Sequence, residues 1–174
     1  MRLNLPTLLT LSRIVVIPFF VMVTPYNPVL GAIIFSVASV TDFLDGYLAR
    51  KTGQITTFGI ILDPIADKFL VISALILLVD MARLSAWIAI VIIVREFLVT
   101  GLRAVALSKD IVIPAEVGGK LKTFCQITAI LCLILDVNIF GFDLYDAGII
   151  AIWIALFLSV VSGFQYTLSF WKRI

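Results

Sequence analysis

Histidine is absent from the 174-residue sequence. That absence removes imidazole chemistry: neither a histidine general base nor a histidine metal ligand is available. Charge is nearly as scarce. Only 14% of the residues are Asp, Glu, Lys or Arg, where a soluble domain carries about 25%. The net charge of +2 is too small to point to a nucleic-acid partner, and none is expected. Cysteine occurs twice. Cys125 and Cys132 stand seven apart on one helix face of an apolar stretch and read as small core residues, not as a disulfide or a metal pair. No A-x-A-like site follows the first apolar run, so no cleavable signal peptide is expected. Internal repeats and low-complexity tracts are missing, and one domain over residues 1–174 is expected. The alternation that marks the strands of a membrane barrel is missing as well.

What the chain has in abundance is apolar surface. Hydrophobic residues make up 62% of it, and its mean hydropathy is +1.19. A water-soluble domain of this size could not cover itself with so few polar residues. At about 20 residues per crossing the chain supplies at most six to eight helical spans. Pro, Gly and charged clusters divide the apolar runs into six, near Leu8–Val23, Val29–Arg50, Phe58–Val79, Ser85–Leu107, Gly119–Asp136 and Ala147–Trp171. Thr24-Pro25-Tyr26-Asn27-Pro28 reads as the first turn and Lys51-Thr52-Gly53-Gln54 as the second. The sequence therefore predicts an all-α integral membrane protein with six transmembrane helices in a lipid bilayer. Arg2, Arg50, Lys51, Lys109, Lys172 and Arg173 fall on one side, whereas the opposite loops hold Arg83 with Asp80, Asp136, Asp143 and Asp146. The positive-inside rule puts both termini in the cytoplasm, with the second and fourth loops. A bacterial cell would place such a protein in its inner membrane.

Charged groups inside lipid are costly and need a reason. Span two carries Asp42, Asp45 and Arg50, and span three carries Asp63, Asp67 and Lys68. At about 100° per residue, Asp42, Asp45, Gly46 and Ala49 share one face, as do Gly59, Asp63 and Asp67. The small residues in both stripes allow close helix approach. Asp45 and Asp63 lie at similar depth above the shared loop, and Asp42 and Asp67 one turn deeper. Four carboxylates brought together would repel unless cations compensate them. Oxygen-rich clusters of this kind suit hard divalent ions such as Mg²⁺ or Mn²⁺ better than zinc. Buried salt bridges of Asp42 or Asp45 with Arg50 or Lys68 are the structural alternative, but two cations do not account for four acids. Pro64, between Asp63 and Asp67, either frees a carbonyl or simply kinks the helix.

Asp42, Asp45, Gly46, Ala49, Arg50, Gly59, Asp63 and Asp67 spell D-x-x-D-G-x-x-A-R-x8-G-x3-D-x3-D. This resembles the signature of the CDP-alcohol phosphatidyltransferases at every fixed position. Asn4–Arg13 (NLPTLLTLSR), Arg95–Arg103 (REFLVTGLR) and Gly119–Thr123 (GKLKT) resemble the branch of that family whose acceptor is glycerol 3-phosphate. The resemblance implies the family's six-helix fold and displacement of CMP from CDP-diacylglycerol by an alcohol hydroxyl. It further implies two divalent ions, Mg²⁺ or Mn²⁺, held by Asp42, Asp45, Asp63 and Asp67. Asp67 is also the general base implied for the acceptor hydroxyl, although a metal-bound carboxylate should be a weak one.

For CDP-diacylglycerol the resemblance implies Gly46 and Ala49, small where a nucleotide lies against the helix, together with Gly59 and Arg50. Tight helix packing explains the small residues equally, and a positive-inside anchor explains Arg50. Thr56 is a nucleotide contact or a helix cap. Asn4, Thr7 and Thr10 close over the cytidine or cap the first helix. Glycerol 3-phosphate, a dianion, needs cations, and Arg95, Arg103, Lys120 and Lys122 are the candidates. Arg95, Val99 and Arg103 share a face. Arg95 also stands beside Glu96, where an ion pair is the plainer reading. Lys120 and Lys122 point to different faces. Two-fold dimers are common in the family, which makes a homodimer an expected assembly. Serine, inositol phosphate or phosphatidylglycerol as acceptor would keep the same chemistry, and a cation transporter with an acidic intramembrane site is the non-enzymatic alternative.

Overall fold

The computed structural model describes the backbone of residues 5–52, 57–108, 117–139 and 141–171, and the side chains among these outside 5–13, 42–52, 57–67, 107–108, 117–120 and 139. Six helices stand among the described residues: α1 (Leu5–Val23), α2 (Pro28–Thr52), α3 (Thr57–Asp80), α4 (Ala86–Ser108), α5 (Val117–Leu135) and α6 (Leu144–Trp171). Each corresponds to one expected span. The chain forms two compact units, Met1–Met81 and Ala82–Ile174.

In the first unit α1 packs along α2 and α3, which also meet each other. The turn between α1 and α2 explains its own sequence. Thr24 ends α1 by returning both its amide (3.1 Å) and its hydroxyl (2.6 Å) to Phe20 O. Asn27 then caps α2, its Oδ1 accepting from Leu30 N at 3.0 Å. Pro28 takes the first helical position, where a missing N–H costs nothing. Gly31 is required because a Cβ there would press on the buried Thr24 side chain, 2.8 Å from its Cγ2. Phe20 and Phe35 fill the space between α1 and α2, both fully buried with ring centroids 5.7 Å apart. Lys51 and Thr52, expected in the second loop, instead finish α2.

The second unit is organised by α6, against which both α4 and α5 pack. A Cβ on Gly148 would lie 2.8 Å from Leu133 Cγ, so α6 approaches α5 closely at that glycine. Trp87 of α4 meets Trp153 of α6 edge to face at 5.3 Å. Arg83 closes the end of α5: its Nη1 donates to Ile134 O (2.6 Å) and Leu133 O (3.2 Å), while Nη2 pairs with Asp136 Oδ2 at 3.1 Å. These are carbonyls that a helix end leaves without internal partners. A short hairpin follows, β1 (Asn138–Ile139) against β2 (Phe142–Asp143), turning through Gly141 at φ +85°. Asp143 Oδ1 accepts from Tyr145 N at 2.9 Å and starts α6 three residues before the expected boundary.

Among the described residues one helix, α6, is long and apolar enough to cross a membrane. The shorter apolar helices are Ile14–Val23, Pro28–Thr41 and Leu121–Leu135. Arg95, Glu96 and Arg103 interrupt α4, and the acids interrupt α2 and α3.

Candidate functional site

The expected site residues fall into one group on each unit. In the first, the backbone is helical from Pro28 to Thr52 and from Thr57 to Asp80. The helical spacing applied to Asp42, Asp45, Gly46, Ala49 and Arg50, and to Gly59, Asp63 and Asp67, therefore rests on helices that meet. Their side chains lie outside the described residues, as do those of Thr7 and Thr10 on α1; Asn4 and Thr56 lie outside altogether. The turn before Asp42 is described. Ser39 donates to Phe35 O (2.8 Å) and Thr41 to Val37 O (2.7 Å), so both hydroxyl protons are committed to their own helix. Apart from these four aspartates, the first unit contains a single carboxylate, Asp80, at the far end of α3. The two thiols, Cys125 and Cys132, are half-buried, free and on α5 of the other unit. Four carboxylates, in a chain without histidine, are a donor set that would fit hard divalent ions.

The second unit holds a charged network across three helices. Arg95, in the middle of α4, donates from Nε to Ser159 O at 2.7 Å and from Nη2 to Ser162 Oγ at 2.6 Å, both on α6. Its Nη1 stands 3.4 Å from Glu96 Oε1. Glu96 Oε1 also accepts from Nζ of Lys122, on α5. Lys122 is 4% exposed, and a buried ammonium needs such a partner. Gly163 gives Arg95 its place: a Cβ there would come within 3.1 Å of Arg95 Nε. Two turns along the same face of α4, past the buried Val99, Arg103 is exposed and lies 5.7 Å from the centroid of the Tyr166 ring. That is cation–π distance. Lys120 lies in the first turn of α5, with its side chain outside the described residues.

Arg95 and Lys122 are thus joined through Glu96, while Arg103 stands apart on Tyr166. Sequence reasoning missed Ser159, Ser162, Gly163 and Tyr166, because α6 read only as an apolar span with an interfacial anchor. The signal was present in Ser159-x-x-Ser162-Gly163, a small polar cluster within an otherwise hydrophobic helix. Gln126, one turn beyond Lys122 on α5, was missed too. Its Nε2 and the Oγ of Ser159 are buried without a hydrogen-bond partner among the described residues.

Residues 3–161 match the family model described as CDP-alcohol phosphatidyltransferase, and the match runs through both units. A Bacillus subtilis (strain 168) protein named CDP-diacylglycerol–glycerol-3-phosphate 3-phosphatidyltransferase is 43% identical, the similarity covering 98% of this chain and 97% of that one. Proteins of the same name from Rickettsia bellii (strain RML369-C), 41% identical over 94% of this chain and 93% of theirs, and from Escherichia coli (strain K12), 40% identical over 95% and 94%, are similar over nearly their whole lengths.

Proposed function

The chain belongs to the CDP-alcohol phosphatidyltransferase family, and from that membership we propose that it transfers the phosphatidyl group of CDP-diacylglycerol to glycerol 3-phosphate, releasing CMP and giving phosphatidylglycerophosphate for phospholipid synthesis. The observation that carries the reading is the complete eight-residue signature, set on two helices that meet, in a chain similar over nearly its whole length to proteins named for this reaction. Six transmembrane helices form one catalytic domain in the inner membrane, with both termini and the α2–α3 and α4–α5 loops in the cytoplasm. Large exposed apolar side chains such as Phe19, Phe97 and Phe157 support lipid-facing surfaces on α1, α4 and α6.

In this mechanism Asp42, Asp45, Asp63 and Asp67 hold two divalent ions, Mg²⁺ or Mn²⁺. Bound there, the ions supply charge neutralisation for the pyrophosphate and the departing CMP. Gly46, Ala49 and Gly59 leave room for the nucleotide, and Arg50 donates to a phosphate oxygen. Asn4, Thr7, Thr10 and Thr56 contact the cytidine end. The acceptor hydroxyl oxygen attacks the β-phosphorus of CDP-diacylglycerol, the bond from that phosphorus to the CMP oxygen breaks, and Asp67 takes the hydroxyl proton. Arg103, Lys120, Lys122 and Arg95 are the cations proposed for the acceptor phosphate.

An acceptor screen with the purified protein and labelled CDP-diacylglycerol tests the reading. CMP release and phosphatidylglycerophosphate are expected with glycerol 3-phosphate, abolished by chelator and restored by Mg²⁺ or Mn²⁺. A phosphatidyl product with serine or inositol phosphate alone would reassign the acceptor. No CMP release with any alcohol, alongside cation flux in proteoliposomes, would replace the enzyme by a transporter.

A further inference from the structure

Glu96 has no place in the chemistry above, yet it joins two of the four proposed acceptor cations. Its side chain is 18% exposed, and Oε1 receives both the Lys122 ammonium and, at 3.4 Å, the Arg95 guanidinium. The packing around it gives the contact a purpose. α4 and α5 each pack along α6, whereas the described backbones of α4 and α5 make little contact with each other. The Glu96–Lys122 pair therefore bridges two helices that are each held by the third. Arg95 ties the same junction to α6 through Ser159 O and Ser162 Oγ.

An apolar contact would hold α4 to α5 without the cost of desolvating ions, and replacing a buried ion pair by packed apolar groups is often neutral or stabilising. Adhesion alone therefore does not explain a carboxylate at this place. Position does. A single oxygen shared by two cations fixes the lysine head group at one point between the helices, and sets the spacing of the helix that carries Arg103 from the helix that carries Lys120.

We propose that Glu96 is a positioning residue for the acceptor site, holding Lys122 and the α4–α5 spacing so that the acceptor phosphate meets cations already in place. The proposal rests on the glycerol 3-phosphate reading of the site. Glu96 acts through Lys122, so its effect disappears when Lys122 is removed.

The test uses full-length protein in lipid nanodiscs and compares Glu96→Gln, Glu96→Asp, Lys122→Met and the double variant Glu96→Gln/Lys122→Met. Each is measured for the KM of both substrates, for kcat and for Tm. Glu96→Gln should raise the KM for glycerol 3-phosphate at least fivefold and leave that for CDP-diacylglycerol within twofold. Glu96→Asp keeps the charge on a shorter arm and should recover part of the loss. In the Lys122→Met background the added Glu96→Gln change should move the acceptor KM less than twofold. A purely structural carboxylate would instead lower Tm and raise both KM values together, and that result overturns the proposal. So does an acceptor KM within twofold of wild type in Glu96→Gln, or effects of the two sites that multiply. Where Glu96→Gln does not fold, Glu96→Asp decides alone: an acceptor-selective rise in KM supports the proposal, and no rise, equal rises in both KM values or failure to fold overturns it. Wild-type protein that releases no CMP with glycerol 3-phosphate overturns the functional reading itself, and is seen before any variant is compared.

Discussion

Arg95 Nη2 of α4 donates to Ser162 Oγ of α6 at 2.6 Å, and the serine hydroxyl that accepts this bond donates its own proton to Leu158 O at 2.7 Å. The two bonds run in sequence, so the hydroxyl serves as both acceptor and donor. A guanidinium in the middle of an apolar helix is thereby satisfied inside the unit. The serine one turn earlier behaves differently. Ser159 offers Arg95 only its carbonyl, at 2.7 Å, and its Oγ is buried without a partner among the described residues.

The contrast predicts opposite outcomes for two similar substitutions. Ser162→Ala removes the acceptor of a charged donor and should cost about 1–2 kcal/mol, a drop of a few degrees in Tm. Ser159→Ala leaves the carbonyl in place and deletes an unsatisfied hydroxyl, so Tm should stay level or rise slightly. Thermal unfolding of both variants in one detergent checks this. Equal losses would mean that the Ser159 hydroxyl has a partner after all.

Two glycines make a second pair. Gly148 is where α6 approaches α5: an added Cβ would sit 2.8 Å from Leu133 Cγ and 3.1 Å from Cys132 Cβ, in a core where Leu133 is fully buried. Gly148→Ala should therefore cost about 1–3 kcal/mol by overpacking. Gly101 of α4 is exposed, with nothing within 4 Å of an added Cβ. There the methyl group only reduces the freedom of the unfolded chain, and Gly101→Ala should add about 0.5–1 kcal/mol. Tm measured on the two variants should move in opposite directions.

The helices were legible because their ends carry chemistry that reads locally. Pro25, Asn27 and Pro28 mark one turn, and the Asn27 cap is a contact between residues three apart. The hairpin before α6 was not legible, since four strand residues around Gly141 give too short a pattern to stand out from a loop. The acids of α2 and α3 were legible as a chemical signature, because charge in an apolar run has few explanations. The partners of Arg95 were not. Its neighbour Glu96 is next in sequence, yet the shorter bonds go to Ser159 and Ser162, 64 and 67 residues away. A serine in an apolar helix carries no sign of which helix will face it, and only the packing of α4 on α6 supplies that.

Asp67 supplies the last prediction. It lies one turn beyond Asp63 on α3, the spacing that lets two carboxylates serve one site from a single helix. Among the four acids it is the one proposed both to hold a divalent ion and to take the acceptor proton. The two roles separate on one substitution. Asn keeps the shape and one oxygen ligand but cannot accept a proton at neutral pH. Loss of a general base lowers turnover by roughly 10²–10⁴-fold, so Asp67→Asn should lose kcat on that scale. Binding of CDP-diacylglycerol should survive, since Asp42, Asp45 and Asp63 still provide ligands beside the pyrophosphate. Raising the pH should restore little, because the acceptor hydroxyl stays far from its own ionisation. Steady-state kinetics with both substrates and a Mg²⁺ titration distinguish the outcomes. A kcat within a few fold of wild type would remove Asp67 from proton transfer. Lost activity together with lost CDP-diacylglycerol affinity, both recovered at high Mg²⁺, would make it a metal ligand alone and leave the proton to another acceptor.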